Sequence, residues 1–111
     1  MRMVAALCLI LLGCGCTRNP AGHHQQVGMR DFHFSPDSLE VAVGDTVTWV
    51  NQSADQHTTT SGEVGAPDGK WDSGVLSPGM EFTHVFDAAG NYHYHCEFHG
   101  PIGMKGVISV K

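Results

Sequence analysis

The stretch DFHFSPDSLEVAVGDTVTWVNQ, residues 31–52, contains the pattern that decides the fold. Apolar and polar residues alternate in short runs, and the turn formers Ser35-Pro36 and Gly44-Asp45 separate these runs. A period of two residues is typical of half-buried strands and not of helices. The pattern predicts three strands whose inward side chains are Phe32, Phe34, Leu39, Val41, Val43, Val47 and Trp49.

Three more strands are predicted downstream, in EFTHVF (81–86), NYHYHC (91–96) and KGVISVK (105–111). Residues 61–80 are rich in Gly, Pro, Asp and Ser, so we expect a long surface excursion there, with at most one short element around Trp71. Seven or eight short strands separated by turns predict an all-β protein, an antiparallel β-sandwich.

Length and charge restrict the classes of function. The 111 residues allow one compact domain of roughly a hundred residues or fewer after removal of a leader. The formal net charge is -5 at pH 7, with only 6 Lys and Arg. This composition leaves no basic stripe for binding phosphates, so no nucleic-acid partner is expected.

The N-terminus is predicted to be a targeting segment. Arg2 precedes an apolar run, residues 3–12, that is too short to span a membrane but suits the core of a signal peptide. The following LLGC, residues 11–14, resembles the lipobox of bacterial lipoproteins. We therefore expect residues 1–13 to be a signal peptide and Cys14 to be lipidated. An ordinary secretory leader, cut a few residues later, remains the alternative. In either case the protein is expected to be exported.

The polar segment before the first predicted strand lacks periodicity. Residues 14–26 are therefore predicted to be a lipidated N-terminus and tether, with His23 and His24 solvated, and residues 27–111 to be the folded domain.

Cysteine usage singles out one thiol. Cys8 is removed with the leader, Cys14 carries lipid and Cys16 lies next to the membrane, so only Cys96 belongs to the domain. A disulfide inside the domain is therefore not expected. Cys96 is present either for its own chemistry or as a small buried apolar residue.

The segment YHYHCEFHGPIGM, residues 92–104, shows where this thiol points. Alternate residues of a strand share a face, so Tyr92, Tyr94 and Cys96 are predicted to point into the core. His93 and His95 are predicted to lie on the solvated outer face.

A candidate metal site follows from the same segment. Cys96, His99 and Met104 lie at the end of the strand and on a loop that contains glycine and proline. A thiolate, an imidazole and a thioether match the donors of trigonal copper sites, which take two histidines, one cysteine and a weak axial methionine. The second histidine must come from elsewhere, and His57 follows the third predicted strand after a short polar turn.

Residues 31–58 and 90–110 resemble the plastocyanin-like blue copper proteins, the small cupredoxins, and the resemblance extends over nearly all of residues 29–110. The C-x2-H-x4-M spacing is the loop length of plastocyanin and pseudoazurin. The resemblance implies a cupredoxin-like Greek-key β-sandwich and one type 1 copper. It also implies that His57, Cys96 and His99 are the strong equatorial ligands and Met104 the long axial one.

Two departures from the family pattern affect these expectations. His95 stands where photosynthetic members have an exposed tyrosine, and acidic residues that might replace their acidic patch are scattered, so a photosynthetic-type partner is not expected. These acidic residues are Asp55, Glu63, Asp68, Asp72 and Glu97. Thr58 follows His57 where plastocyanins commonly have Asn, so the contact between the two ligand segments is expected to differ.

The predicted function is one-electron transfer between redox partners of the cell envelope, with transient docking at the apolar end around His99. The protein is expected to be a monomer held at the membrane by its lipid. It is not expected to be an enzyme, because four protein ligands leave no coordination position for a substrate. The alternative is a periplasmic protein that captures and delivers copper. A structural zinc module fits less well, because zinc does not favour methionine.

Overall fold

The computed structural model describes residues 22–111. The predictions for the signal peptide, for Cys8 and Cys16 and for lipidation of Cys14 lie outside the described residues. The strands are β1 (His24–Arg30), β2 (His33–Ser35), β3 (Ser38–Val41), β4 (Thr46–Asn51), β5 (Thr60–Glu63), β6 (Ala66–Asp72), β7 (Glu81–Val85), β8 (Gly90–His95) and β9 (Lys105–Val110). One 3-10 turn spans Gly100–Ile102.

The strands form two packed sheets, so the predicted all-β sandwich is confirmed. One sheet has the strand order β3-β9-β8-β5-β6 and the other has the order β2-β1-β4-β7. The expectation of antiparallel strands is wrong for the pairs β1–β4 and β3–β9, which are parallel because the chain crosses to the other sheet between β2 and β3 and returns before β4. The remaining pairs are antiparallel.

The described residues contain nine strands instead of seven or eight, because residues 60–72 form a hairpin of β5 and β6. The sequence predicted a surface excursion there. Strand β6 lies at the edge of its sheet, and Trp71 is its only buried residue. Edge strands tolerate the Pro, Gly and charged residues that weaken a prediction based on alternation.

The core lies between the sheets and is largely aromatic. Trp49 packs against Tyr94 and Trp71, with ring centroids 5.3 and 5.5 Å apart. The buried apolar residues are Val27, Met29, Phe34, Val41, Val47, Trp49, Trp71, Leu76, Phe86, Tyr94, Cys96, Met104, Ile108 and Val110, with Leu39, Phe82 and Tyr92 partly buried beside them.

Two residues predicted to be in the core are exposed instead. Phe32 and Val43 have exposed fractions of 44% and 50%. Phe32 precedes β2 and Val43 follows the end of β3, so neither lies in a strand. The alternation of faces holds only within a strand, which is why the prediction is wrong for these two positions.

Strand β8 confirms the inward prediction for Tyr94 and Cys96, which are both buried, and His93 is exposed as expected. The outward prediction is wrong for His95, which is 3% exposed. The neighbouring strand β5 supplies its partner, because His95 Nδ1 lies 2.8 Å from the carbonyl oxygen of Gly62.

The domain begins slightly before residue 27. Residues 24–26 already pair with β4, so they belong to the sheet and not to the tether. The backbone N–H of His23 donates to Asp45 Oδ1 at 2.7 Å, so the chain enters the sandwich where β4 begins. Parallel pairing requires backbone groups and no apolar side chains, so the polar sequence gave no sign of it. Within residues 22–111, no helix has the length and apolar character to cross a membrane.

Candidate metal centre

The four predicted ligands lie on two segments of the sandwich. His57 lies in the loop after β4, where its N–H donates to the carbonyl of Leu76 at 3.1 Å and its carbonyl accepts from Leu76 at 2.8 Å. Cys96 directly follows β8, and its N–H donates to the carbonyl of Met104 at 3.0 Å. Backbone hydrogen bonds therefore tie each ligand segment to another part of the sandwich.

The side chains of three predicted ligands converge. Cys96 Sγ lies 3.7 Å from His57 Nδ1 and 3.7 Å from His99 Nδ1, and all three ligand atoms lie within 4.8 Å of one another. Metal bonds of about 2.3 Å to sulfur and 2.0 Å to nitrogen, at about 120°, would separate the two atoms by about 3.7 Å. Both sulfur–nitrogen distances therefore match the spacing that a trigonal metal site requires.

The fourth predicted ligand, Met104, lies on the same closed loop. Its N–H donates to the carbonyl of His99 at 3.1 Å, and the N–H of Gly100 donates to the carbonyl of Cys96 at 2.6 Å. Gly103 ends the 3-10 turn with φ of 106°, a conformation that favours glycine. Met104 is fully buried, so the structure places the thioether inside the protein, and its backbone is hydrogen-bonded to that of Cys96.

Thr58 connects the two ligand segments. Its N–H donates to Cys96 Sγ at 3.4 Å, so the backbone next to His57 contacts the thiol directly. Its Oγ1 accepts from the N–H of Glu97 at 2.9 Å and lies 2.9 Å from Thr60 Oγ1. One hydroxyl thus joins the segment of His57 to the segment of Cys96.

Hydrogen bonds determine which nitrogen of His57 faces the thiol. Nε2 lies 2.8 Å from Ser53 Oγ and 3.4 Å from Asp31 Oδ1. Ser53 Oγ donates to Asn51 Oδ1 at 2.8 Å, so it is available to accept from His57. The hydrogen of the Ser53 hydroxyl is directed at Asn51, and the Asp31 carboxylate has no hydrogen to donate. Nε2 is therefore the donor and carries the proton. The lone pair of Nδ1 is then free to face Cys96.

The electrostatic environment of His57 also favours a neutral imidazole. Burial lowers the pKa of His57, and the nearby His99 lowers it further, while the hydrogen bond to Asp31 acts in the opposite direction. A neutral ring is the form that binds a metal.

Sequence reasoning did not find the turn between β1 and β2. Asp31 approaches His57, and the ring of Phe32 lies with its centroid 4.6 Å from that of His99 and 6.5 Å from that of His57. No motif links this turn to the ligands, because packing of distant segments creates the contacts. The alternation pattern predicts a strand position for Phe32 and no role for Asp31.

Exposed apolar side chains surround His99, which is itself partly exposed. Phe32, Phe98 and Ile102 have exposed fractions of 44%, 50% and 69%. The ring centroid of Phe98 lies 6.3 Å from that of His99, and the N–H of Ile102 donates to the His99 carbonyl at 3.1 Å. The apolar end predicted around His99 therefore includes two phenylalanines in addition to the loop.

Comparison with known proteins supports a copper site. A family model described as copper binding proteins, plastocyanin/azurin family, matches residues 21–111. Plastocyanin from Scenedesmus fuscus is 37% identical over 84 residues, which are 70% of this chain and 86% of that protein.

Solved structures have the same fold. A purple cupredoxin from Nitrosopumilus maritimus has a TM-score of 0.71 at 32% identity, over 78% of this chain and 99% of that one. A copper-containing nitrite reductase from Thermus scotoductus has a TM-score of 0.68 at 28% identity, over 85% of this chain but 23% of the enzyme. The chain thus matches one small part of that enzyme and nearly the whole of the cupredoxin.

Proposed function

The chain belongs to the plastocyanin/azurin family of copper-binding proteins, and we propose that it transfers single electrons through one type 1 copper held by His57, Cys96, His99 and Met104. Its cofactor is copper, which the family and the donor set both support. The observation that carries the ligand assignment is the convergence of one thiol and two imidazole nitrogens at 3.7 Å spacing.

Copper supplies a one-electron couple between its cupric and cuprous states, which prefer different geometries. The protein contributes rigidity. His57 is held by the carbonyl and N–H of Leu76, and the segment of Cys96 is held by Met104 and Gly100. Ligands fixed in this way change little between the two oxidation states, so the electron moves with a small rearrangement.

His99 is the proposed exit for the electron, because it is the partly exposed member of the cluster. The apolar side chains around it would exclude water when a partner docks. Weak redox encounters use small interfaces, so a patch of this kind is sufficient for a short-lived complex with a redox protein. A monomer is sufficient for electron transfer of this kind.

We assign no enzymatic activity to the chain. Four protein donors leave no position for substrate or water, which catalytic metal sites usually keep open.

We place the protein in the cell envelope, exported by residues 1–13 and anchored through lipid on Cys14. The lipobox-like LLGC supports this proposal. The backbone N–H of Thr46 donates to the His23 carbonyl at 2.9 Å, so the tether joins the domain at the start of β4. The loop that carries His57 follows the other end of β4. The anchor and the electron exit would therefore lie at opposite ends of the domain, which suits partners on the side away from the membrane.

Addition of Cu(II) to the copper-free protein tests the function. We expect an intense blue colour from copper–thiolate bonding, loss of the colour on one-electron reduction and its return on oxidation. Cys96→Ser should stay colourless, while the control Cys16→Ser should turn blue. A colourless wild-type protein would contradict the proposed site. Rapid transfer of Cu(I) from the protein to a chelator would support copper delivery instead.

The anchor requires a separate test. Cys14→Ser should move the protein from the membrane fraction to the soluble fraction, and Cys16→Ser should leave it in the membrane. Equal membrane retention of both variants would contradict lipidation at Cys14.

A further inference from the structure

The turn between β1 and β2 contacts both imidazoles of the metal centre. Asp31 Oδ1 lies 3.4 Å from His57 Nε2, and the adjacent Phe32 packs on His99 with ring centroids 4.6 Å apart. Within residues 22–111, Asp31 is the only acidic residue at ion-pairing distance from either predicted histidine ligand.

Backbone pairing fixes the position of this turn. Arg30 pairs with His33 where the turn closes, and Met29 pairs with Asn51 at the end of β4. The N–H of Gln52 also donates to the carbonyl of Met29 at 2.9 Å. The turn is therefore attached to the start of the loop that carries His57, and Asp31 is held beside the imidazole by the sheet.

We propose that Asp31 is a positioning residue that lowers the reduction potential of the copper site through His57. This inference rests on the proposed function. The Asp31 carboxylate lies 3.4 Å from Nε2, on the side of the ring opposite the nitrogen that faces Cys96, while Nε2 itself donates to Ser53 Oγ at 2.8 Å. A carboxylate in this position orients the ring and raises the basicity of the donor nitrogen.

The sign of the effect follows from charge. A negative charge near a metal stabilises the state with the larger positive charge, which is cupric copper. Stabilising the oxidised state lowers the reduction potential. Ser53 Oγ, which accepts from Nε2 at 2.8 Å, is neutral and therefore cannot stabilise the cupric state by its charge. Asp31 has a side-chain exposure of 39%, so solvent screens the charge in part without removing it.

Asp31→Asn tests the inference, because it removes the charge and keeps the size of the side chain. The matched control is Asp87→Asn, which makes the same charge change beside Phe86, whose N–H donates to Asp45 at the opposite end of the domain. We expect Asp31→Asn to remain blue and to have a higher potential than wild type. Replacement of residues that support a metal ligand from behind costs roughly 10-fold to 100-fold in metal affinity. A 10-fold loss confined to Cu(II) corresponds to about 59 mV.

The readouts are the reduction potential, the Cu(II) affinity and the absorption and EPR spectra of each variant. Asp31→Glu, which retains the charge, should restore part of the lower potential, and Asp31→Ser should match Asp31→Asn. If Asp31→Asn does not fold, the comparison of Asp31→Glu with Asp31→Ser decides the question in the same way.

Equal potentials in the uncharged Asp31 variants and in Asp87→Asn would overturn the inference. If wild type is blue and redox-active in that case, the proposed function stands and only the role of Asp31 fails. A wild-type protein that forms no blue site would overturn both.

Discussion

Thr58→Val tests whether one hydroxyl ties the two ligand segments together. Valine has the shape and β-branching of threonine, so the substitution removes the hydroxyl and little else. The backbone N–H of Thr58 still donates to Cys96 Sγ. The N–H of Glu97 loses its acceptor at 2.9 Å, and Thr60 Oγ1 loses its neighbour at 2.9 Å.

The structure limits the size of the effect. Thr60 Oγ1 keeps a second hydrogen-bond partner, Asp72 Oδ1 at 3.3 Å, so it is not left unsatisfied by the substitution. The Glu97 N–H is only partly buried, so water can replace part of what it loses. One lost hydrogen bond and one partly unsatisfied donor together cost about 2 kcal/mol. For a domain of this size that lowers Tm by roughly 8–16 °C.

The assay is urea and thermal unfolding of the copper-free protein, because bound metal would add its own stabilisation. Thr46→Val is the matched control, since the Thr46 side chain makes no hydrogen bond within the described part of the chain. If Thr58→Val and Thr46→Val unfold within about 0.5 kcal/mol of each other, the hydroxyl does not hold the segments together and the reasoning is refuted.

Two further predictions concern other parts of the molecule. Phe32→Ala removes the ring packed on His99, so we expect faster loss of Cu(I) to a chelator than in Val43→Ala, which truncates an apolar residue of similar exposure; equal rates would contradict this. Hydrogen bonds from the backbone N–H groups of Ala42 and His23 lower the pKa of Asp45. Its contribution to stability is therefore complete above the unfolded-state pKa of about 3.9 and is lost as pH falls through the lower folded-state pKa. Asp45→Asn should be less stable at neutral pH and should lose less stability on acidification; urea midpoints from neutral to acidic pH measure this, and parallel curves would refute it.

Much of the fold was predictable because alternation reports local backbone geometry. Val47 and Trp49 share a face within one strand and are both buried, as expected. The prediction was wrong where a residue lay just outside a strand, as for Phe32 and Val43. It was also wrong for His95, because this side chain is buried through its contact with Gly62 in the neighbouring strand β5, which alternation in β8 does not report.

The sequence by itself determined the sandwich class and the grouping of Cys96, His99 and Met104, because strand alternation and the spacing of a short loop are local properties of the chain. Only the tertiary structure decided how near His57 comes to the thiol, that Thr58 bridges the ligand segments and that Asp31 and Phe32 contact the two imidazoles. These contacts join residues from separate strands and loops. Their distances depend on the register of every strand between them and on the packing of the two sheets. No local sequence pattern specifies either of these.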